Sequence, residues 1–305
     1  MPDATPDWVL TGPYSAEKLS DLLHLIYGAA IEPQQWSNVL AAVAQSMQGK
    51  TGLLYTPFLP PQQNGLLHTL NIPPEKTMLW ATKYLEHDLW VNRSMAMGLA
   101  VQGAVVIDSD VCTEEELLAS EIYQHLFASI DIGRFCSGVV FDTSADGIPA
   151  TAITAHRPLH APPFSEQDRA WLALLLPHLS RALGLMFRLD NARLQAASLL
   201  AGLDGLALGV VLLNAHGQVA HANQAAQQVL ARHDGLACDS EGRLNGDSAL
   251  PRADHLAAWL QQQCLPAAVE VTHFANAYLV QRSGAGKVYS VQCCPLNAAQ
   301  PWQVS

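Results

Sequence analysis

The chain has 305 residues, half of them hydrophobic and 14% charged, and at ~150 residues per domain that length predicts two domains. These proportions exclude an intrinsically disordered chain, which would be richer in charge and poorer in aliphatic side chains. With 16 Lys and Arg against 27 Asp and Glu, the formal net charge is −11, which excludes binding to nucleic acid or an anionic membrane through the overall field.

The first predicted element is a helix over Ser15 to Ala30, with Leu19, Leu22, Leu23 and Ile26 at helical spacing and Ser15 as N-cap. A second helix starts at Pro33 and turns Trp36, Val39, Leu40, Val43 and Met47 to one face. Leu53 to Phe58 reads as a strand stopped by Pro60 and Pro61. A mixed stretch rich in Trp, Tyr and Met follows from Met78 to Leu99. Then come a strand over Val101 to Ile107, a helix over Glu114 to Phe127, and strands over Cys136 to Asp142 and Ala150 to Ala155. Helices packed on an antiparallel sheet, an α+β arrangement, satisfy this order.

Ser165 with Asp168 three positions on is a close variant of a capping box. From there to Leu203 the pattern is helical, with Leu172, Leu175, Leu179, Leu183, Met186 and Leu189 stepping mainly by three and four and Pro177 expected to kink the helix. Two readings fit: a core helix, or a connecting helix that pairs with its twin in a dimer. The length of the segment favours the second.

Beyond Leu203 the rhythm changes. Leu208 to Leu213 and Gln218 to Ala222 read as strands around a turn at Ala215-His216-Gly217, and Asn223 caps a helix over Gln224 to Arg232. Turn residues at Asp234-Gly235, Gly242 and Asn245-Gly246 lead to a helix over Ala253 to Cys264. Strands over Val269 to Phe274, Tyr278 to Ser283 and Val288 to Leu296 close the chain, the last two joined at Gly284-Ala285-Gly286. This order describes a second, smaller α+β sheet.

The segment Asn214 to Ala225, with Gly217 in the turn, Val219 in the strand and Asn223 opening an alanine-rich helix, resembles the opening hairpin of a PAS domain. Together with the long helix, Trp36 and the Tyr84 to Arg93 segment, the chain resembles the sensory part of LuxR-type bacterial transcriptional regulators. In that family a GAF-like or autoinducer-binding-like region precedes a PAS-like domain and a C-terminal helix-turn-helix. The resemblance implies two sensor-type domains with antiparallel sheets, GAF-like over residues 1–164 and PAS-like over 204–305, joined by the helix over 165–203. No basic helix pair follows the second sheet before Ser305, so DNA contact is expected only through a helix-turn-helix absent from this chain.

Trp80, Tyr84, Asp88 and Trp90 form the leading site candidate. Spacing of four would set Trp80, Tyr84 and Asp88 on one helix face, two aromatic walls and one acceptor. Acyl-homoserine-lactone receptors of the LuxR type use a similar set to hold a small amphiphilic ligand; here Leu89 follows the acid where that family has proline. The competing reading is a helix with core aromatics and a solvated acid.

The other candidates are weaker. The twelve histidines show no ligand-set spacing: Pro158 separates His156 from His160, His216 and His221 flank a hairpin, and the set reads as surface residues. His233 or His255 would be the ligand if the second domain held haem. The six cysteines, Cys112, Cys136, Cys238, Cys264, Cys293 and Cys294, lack Cys-x-x-Cys spacing and read as reduced core residues, except that the adjacent Cys293 and Cys294 point to opposite faces of a strand, one to the core and one to the surface. Phe135 to Gly138 lacks a nucleophile constellation, and Ser283 to Lys287 lacks full phosphate-loop spacing.

The expected protein is therefore a cytoplasmic homodimer that senses a small, partly apolar ligand, with no cofactor, no catalysis and no membrane contact. Its first residues lack a secretion signal and no apolar run approaches ~18 residues. The alternatives are an interaction module forming mixed dimers with a full-length regulator and a haem-binding PAS sensor.

Overall fold

The computed structural model describes residues 14–57, 65–142, 148–214, 216–246, 253–264, 277–283 and 287–293. The fold is α+β. The chain divides into two compact units, Met1–Asn191 and Ala192–Ser305.

In the first unit α1 (Ala16–Ala29) opens on Ser15, whose hydroxyl accepts from the Lys18 amide at 3.3 Å. A 3-10 turn at Pro33–Gln35 leads into α2 (Trp36–Ser46), and Trp36, Val39, Leu40, Val43 and Met47 are all buried, as their spacing requires. Next come β1 (Thr51–Tyr55), β2 (Leu67–Leu70), α3 (Pro74–Leu79), a π turn at Trp80–Tyr84, a 3-10 turn at Leu85–His87 and α4 (Leu89–Ala96). They are followed by β3 (Val105–Ile107), α5 (Asp108–Val111), α6 (Glu114–Ala119), α7 (Glu121–His125), a 3-10 turn at Phe127–Ile130, β4 (Arg134–Phe141) and β5 (Thr151–Arg157).

Three differences from the sequence reading stand out. β2 is an addition, because its half-buried edge position leaves only a weak apolar alternation. The strand ending at Ile107 starts only at Val105. The helix expected over Glu114 to Phe127 is broken at Ser120, which ends α6 in an extended conformation and caps α7.

The five strands form one antiparallel sheet in the order β2-β1-β5-β4-β3. Alternation gives the sheet two chemically different faces. One carries Leu54, Cys136, Ile153 and Ala155 into a core shared with α1, α2 and the long helix α8 (Glu166–Asp204). Gly138 brings α8 close, since a Cβ there would lie 2.7 Å from Leu176 Cδ2. The other face carries Tyr55 and Phe135 into a second core with Trp80, Trp90, Leu117, Leu126 and Phe127.

Helix α8 is unbroken through Pro177. Trp171, Leu172, Leu175, Leu179, Leu183 and Met186 are buried in the first unit's own core. The stripe expected to meet a twin is thus occupied by the sheet, which is the reading that its periodicity allowed equally well. Exposed apolar side chains on α8 are instead Leu185, Leu189, Leu194 and Leu199. By length and composition α8 is apolar enough to cross a bilayer, although over half of its most apolar window is buried within the protein. The division between the units falls inside this helix, at Asn191, rather than at either of its ends.

In the second unit β6 (Val211–Leu213) pairs with β7 (Val219–Ala222), and α9 (Gln224–Leu230) follows. β8 (Leu236–Cys238) pairs with β9 (Leu244–Gly246), α10 covers Ala253–Cys264, and β10 (Ala277–Gln281) pairs with β11 (Val288–Gln292). Among the described residues these strands make three two-stranded ladders instead of a single sheet. Leu236, Leu244, Leu256, Leu260 and Val280 form the core. The strand expected over Val269 to Phe274, the turn at Gly284 to Gly286 and Cys294 lie outside the described residues.

Asn223 organises this unit. Its Oδ1 accepts from the amides of Val210 and Ala226 at 2.8 and 2.9 Å, and its Nδ2 donates to the carbonyls of Leu203 and Leu208 at 2.8 and 2.9 Å. All four hydrogen-bonding positions of a buried amide are used.

Candidate functional site

A cavity of about 260 Å³ lies in the first unit, between the second face of the sheet and the α3–α4 segment. Cross-strand rows build its sheet side. Leu53, Thr154 and Ser137 are neighbours in register, as are Tyr55, Ala152 and Val139, and Phe135 lies beside His156. All line the cavity. Thr77, Trp80, Asp88, Trp90, Ser94 and Met95 line it from the helical side.

The residues expected at a site come together by a different route from the one their spacing suggested. Trp80 begins the π turn, a geometry that recurs at functional sites. The chain then leaves the helix after His87, and Asp88 stands in an extended conformation as the N-cap of α4. Its Oδ1 accepts from the amides of Trp90 and Val91 at 3.0 and 3.2 Å, and its Oδ2 accepts from Trp80 Nε1 at 2.8 Å. Asp88 is therefore a cap that reaches back to Trp80, not a third residue on a shared helix face.

Asp88 is 3% exposed, which overturns the picture of a solvated acid. Burial raises its carboxyl above the usual range, against the pull of the Trp80 indole and the Val91 and Trp90 amides. Burial, with the Asp88 charge second, also pushes the Tyr55 phenol well above its ordinary value.

Trp90 stacks on Phe127 with ring centres 4.9 Å apart, tilts against Phe135 at 4.6 Å and lies parallel to His156 at 6.4 Å. Trp80 meets Tyr55 edge to face at 5.2 Å. Tyr84 is the member of the expected set that does not line the cavity. It is buried among the neighbouring apolar residues, and its hydroxyl accepts from Lys83 Nζ at 3.0 Å.

His156 is the residue the sequence reading misplaced. It is buried and lines the cavity, with Nδ1 3.3 Å from Thr51 Oγ1. Burial depresses its ring to about 3, so it is neutral at neutral pH. The signal that finds it is strand alternation over Thr151–Arg157, which sets Ala152, Thr154 and His156 on one face. Ser137 Oγ and Thr154 Oγ1, 2.8 Å apart, add a hydroxyl pair to the same lining.

Among the described residues no group of three or more His, Cys, Asp or Glu side chains is arranged to hold a metal. His233 and His255, the haem-ligand candidates, are exposed. Cys136 is buried, but Cys112 and Cys293 are only half-buried and Cys238 is exposed, so the cysteines are not uniformly core residues.

No protein-family profile matches the chain, and no curated protein matches it in sequence. Solved structures do match. The LBD domain of VqsR from Pseudomonas aeruginosa is 15% identical with a TM-score of 0.43, over 58% of this chain and 98% of that one. The N-acylhomoserine lactone dependent LuxR family transcription factor CepR2 from Burkholderia cenocepacia is 17% identical with a TM-score of 0.40, over 57% and 99%. The GAF domain/HD domain protein from Geobacter sulfurreducens is 13% identical with a TM-score of 0.31, over 56% and 97%.

Proposed function

We propose that this chain is the small-molecule-sensing part of a LuxR-type transcriptional regulator, working in the cytoplasm as a homodimer and catalysing no reaction. The observation that carries this reading is the cavity of about 260 Å³, lined by Trp80, Asp88 and Trp90 and set between a sheet face and short helices. It is largely apolar with a few converging polar groups, the composition of a ligand site. Its size falls just below the ~300–1,000 Å³ typical of such sites, which suits a small ligand.

The absence of catalysis is supported by how the polar groups are engaged. Asp88 accepts three protein hydrogen bonds and His156 is neutral and paired with Thr51. Thr51, the hydroxyl beside His156, does not line the cavity.

Transmission is assigned to α8, whose buried residues Leu172 and Leu176 rest on Gly138 of β4, next in the strand to Ser137 of the cavity. A ligand that shifts this sheet biases the helix only by its differential affinity for two states. Leu185 and Leu189 of the first unit and Leu194 and Leu199 of the second are exposed apolar positions left for a second copy. The second unit is read as the PAS-like domain, because Asn223 ties its opening hairpin to α9.

The test is a thermal-shift screen of small metabolites against wild type, Asp88→Ala and Trp90→Ala. A ligand at 100 times its dissociation constant adds about 2.7 kcal/mol of stability. Hits that stabilise wild type and lose affinity in both variants are expected; hits that bind both variants unchanged remove the cavity from the reading.

A further inference from the structure

Asp88 sets a buried carboxyl group with no cationic partner among the described residues against a ring-lined space. Its carboxylate is nearly fully buried, and among the described residues no Lys or Arg lines the cavity and no ion pair to Asp88 is formed. Three N–H donors and the positive end of α4 offset part of that charge. Buried charges in proteins are ordinarily paired.

Aromatic rings make up much of the rest of the lining, beside the hydroxyls of Thr77, Ser94, Ser137 and Thr154 and the buried, unpartnered Trp90 Nε1–H. The rings of Tyr55, Trp80, Trp90, Phe127 and Phe135 all border the cavity, and each ring face carries partial negative charge. His156, neutral through burial, brings no competing positive charge.

Resting on the reading of this cavity as the ligand site, we propose that its ligand is a small organic cation, an ammonium group on a compact apolar body, paired with Asp88 and held against the rings of Trp80 and Trp90. An uncharged amide or alcohol donor would fill one lone pair of Asp88 and leave its charge unbalanced. An alkylated ammonium balances the charge, is weakly hydrated and so enters an apolar space at low desolvation cost, and is attracted to the ring faces.

The test uses the full chain and isothermal titration calorimetry at pH 7.5 with three probes of similar shape: choline, protonated N,N-dimethylethanolamine, and the uncharged 3,3-dimethylbutan-1-ol. The two cations separate a quaternary head from one that also donates a hydrogen bond. At least one cation is expected to bind ten-fold or more tightly than the alcohol. That preference is expected to vanish in Asp88→Asn, in which asparagine still caps α4 but carries no charge.

Alcohol binding as tight as the cations', cation binding unchanged in Asp88→Asn, or no cation binding overturns the proposal. Uncharged compounds that bind wild type but are excluded by Ala152→Leu, which fills the lining, leave the ligand-site reading standing without the cation. Failure of every probe and of the metabolite screen removes both.

Discussion

Arg157 and Asp168 form a buried ion pair, Nη2 to Oδ1 at 2.8 Å, that joins the end of β5 to the first turn of α8. Arg157 also donates to the carbonyls of Met47, Pro162 and Pro163, and its guanidinium lies 4.0 Å over the Phe164 ring. Asp168 accepts from the Tyr14 hydroxyl and from the amide and hydroxyl of Ser165. The pair therefore ties Tyr14, the end of α2 and the start of α8 to one strand.

Asp168→Ala leaves the Arg157 guanidinium buried without its carboxylate and is expected to destabilise the first unit by about 3–5 kcal/mol. Urea unfolding followed by tryptophan fluorescence measures it. A loss under about 1 kcal/mol, the range of exposed pairs, would show that water reaches the guanidinium.

His156 predicts an acid sensitivity. Its folded-state value near 3 lies below the ordinary 6.5, so below pH 6.5 the unfolded chain binds a proton that the folded one does not. Stability is therefore full above about 6.5 and falls as the pH drops toward 3. Between pH 7.5 and 5.0 wild type is expected to lose about 2 kcal/mol more than His156→Gln. Parallel losses in the two proteins would mean that the ring is solvated.

The two halves of α8 predict opposite mutational behaviour. Leu175 is fully buried, whereas Leu199 is 73% exposed. Leu175→Ala is expected to cost about 2–5 kcal/mol. Leu199→Ala is expected to leave unfolding within about 0.5 kcal/mol while weakening self-association in sedimentation velocity. A Leu199→Ala protein that sediments like wild type at every concentration would take this position out of the dimer contact.

Asn223 sets a prediction for the second unit. Asn223→Asp keeps the acceptor to Val210 and Ala226 but turns a carboxylate oxygen toward the carbonyls of Leu203 and Leu208, where Nδ2 now donates. A loss of about 2–4 kcal/mol is expected, greater than the ~1 kcal/mol typical of losing a cap alone. Hydrogen exchange at the Val210 and Ala226 amides reads it locally, and unchanged protection would contradict the role given to Asn223.

What reads straight from residue order here is local. Ser15 before α1, Pro33 before α2 and Ser165 with Asp168 before α8 mark helix starts because capping acts within one turn. The apolar faces of α1, α2 and α8 follow for the same reason, since a period near 3.6 requires a covered stripe. That period does not say what covers it. Leu172 to Met186 met this chain's own sheet, because Gly138 lets the helix approach. The site divides in the same way. Trp80, Asp88 and Trp90 were recognisable as residue types, but their meeting depends on a turn back at His87. His156 entered the cavity only through the pairing of β5 with β1 and β4. Strand pairing joins residues about a hundred positions apart, and no local pattern records which partner a strand takes.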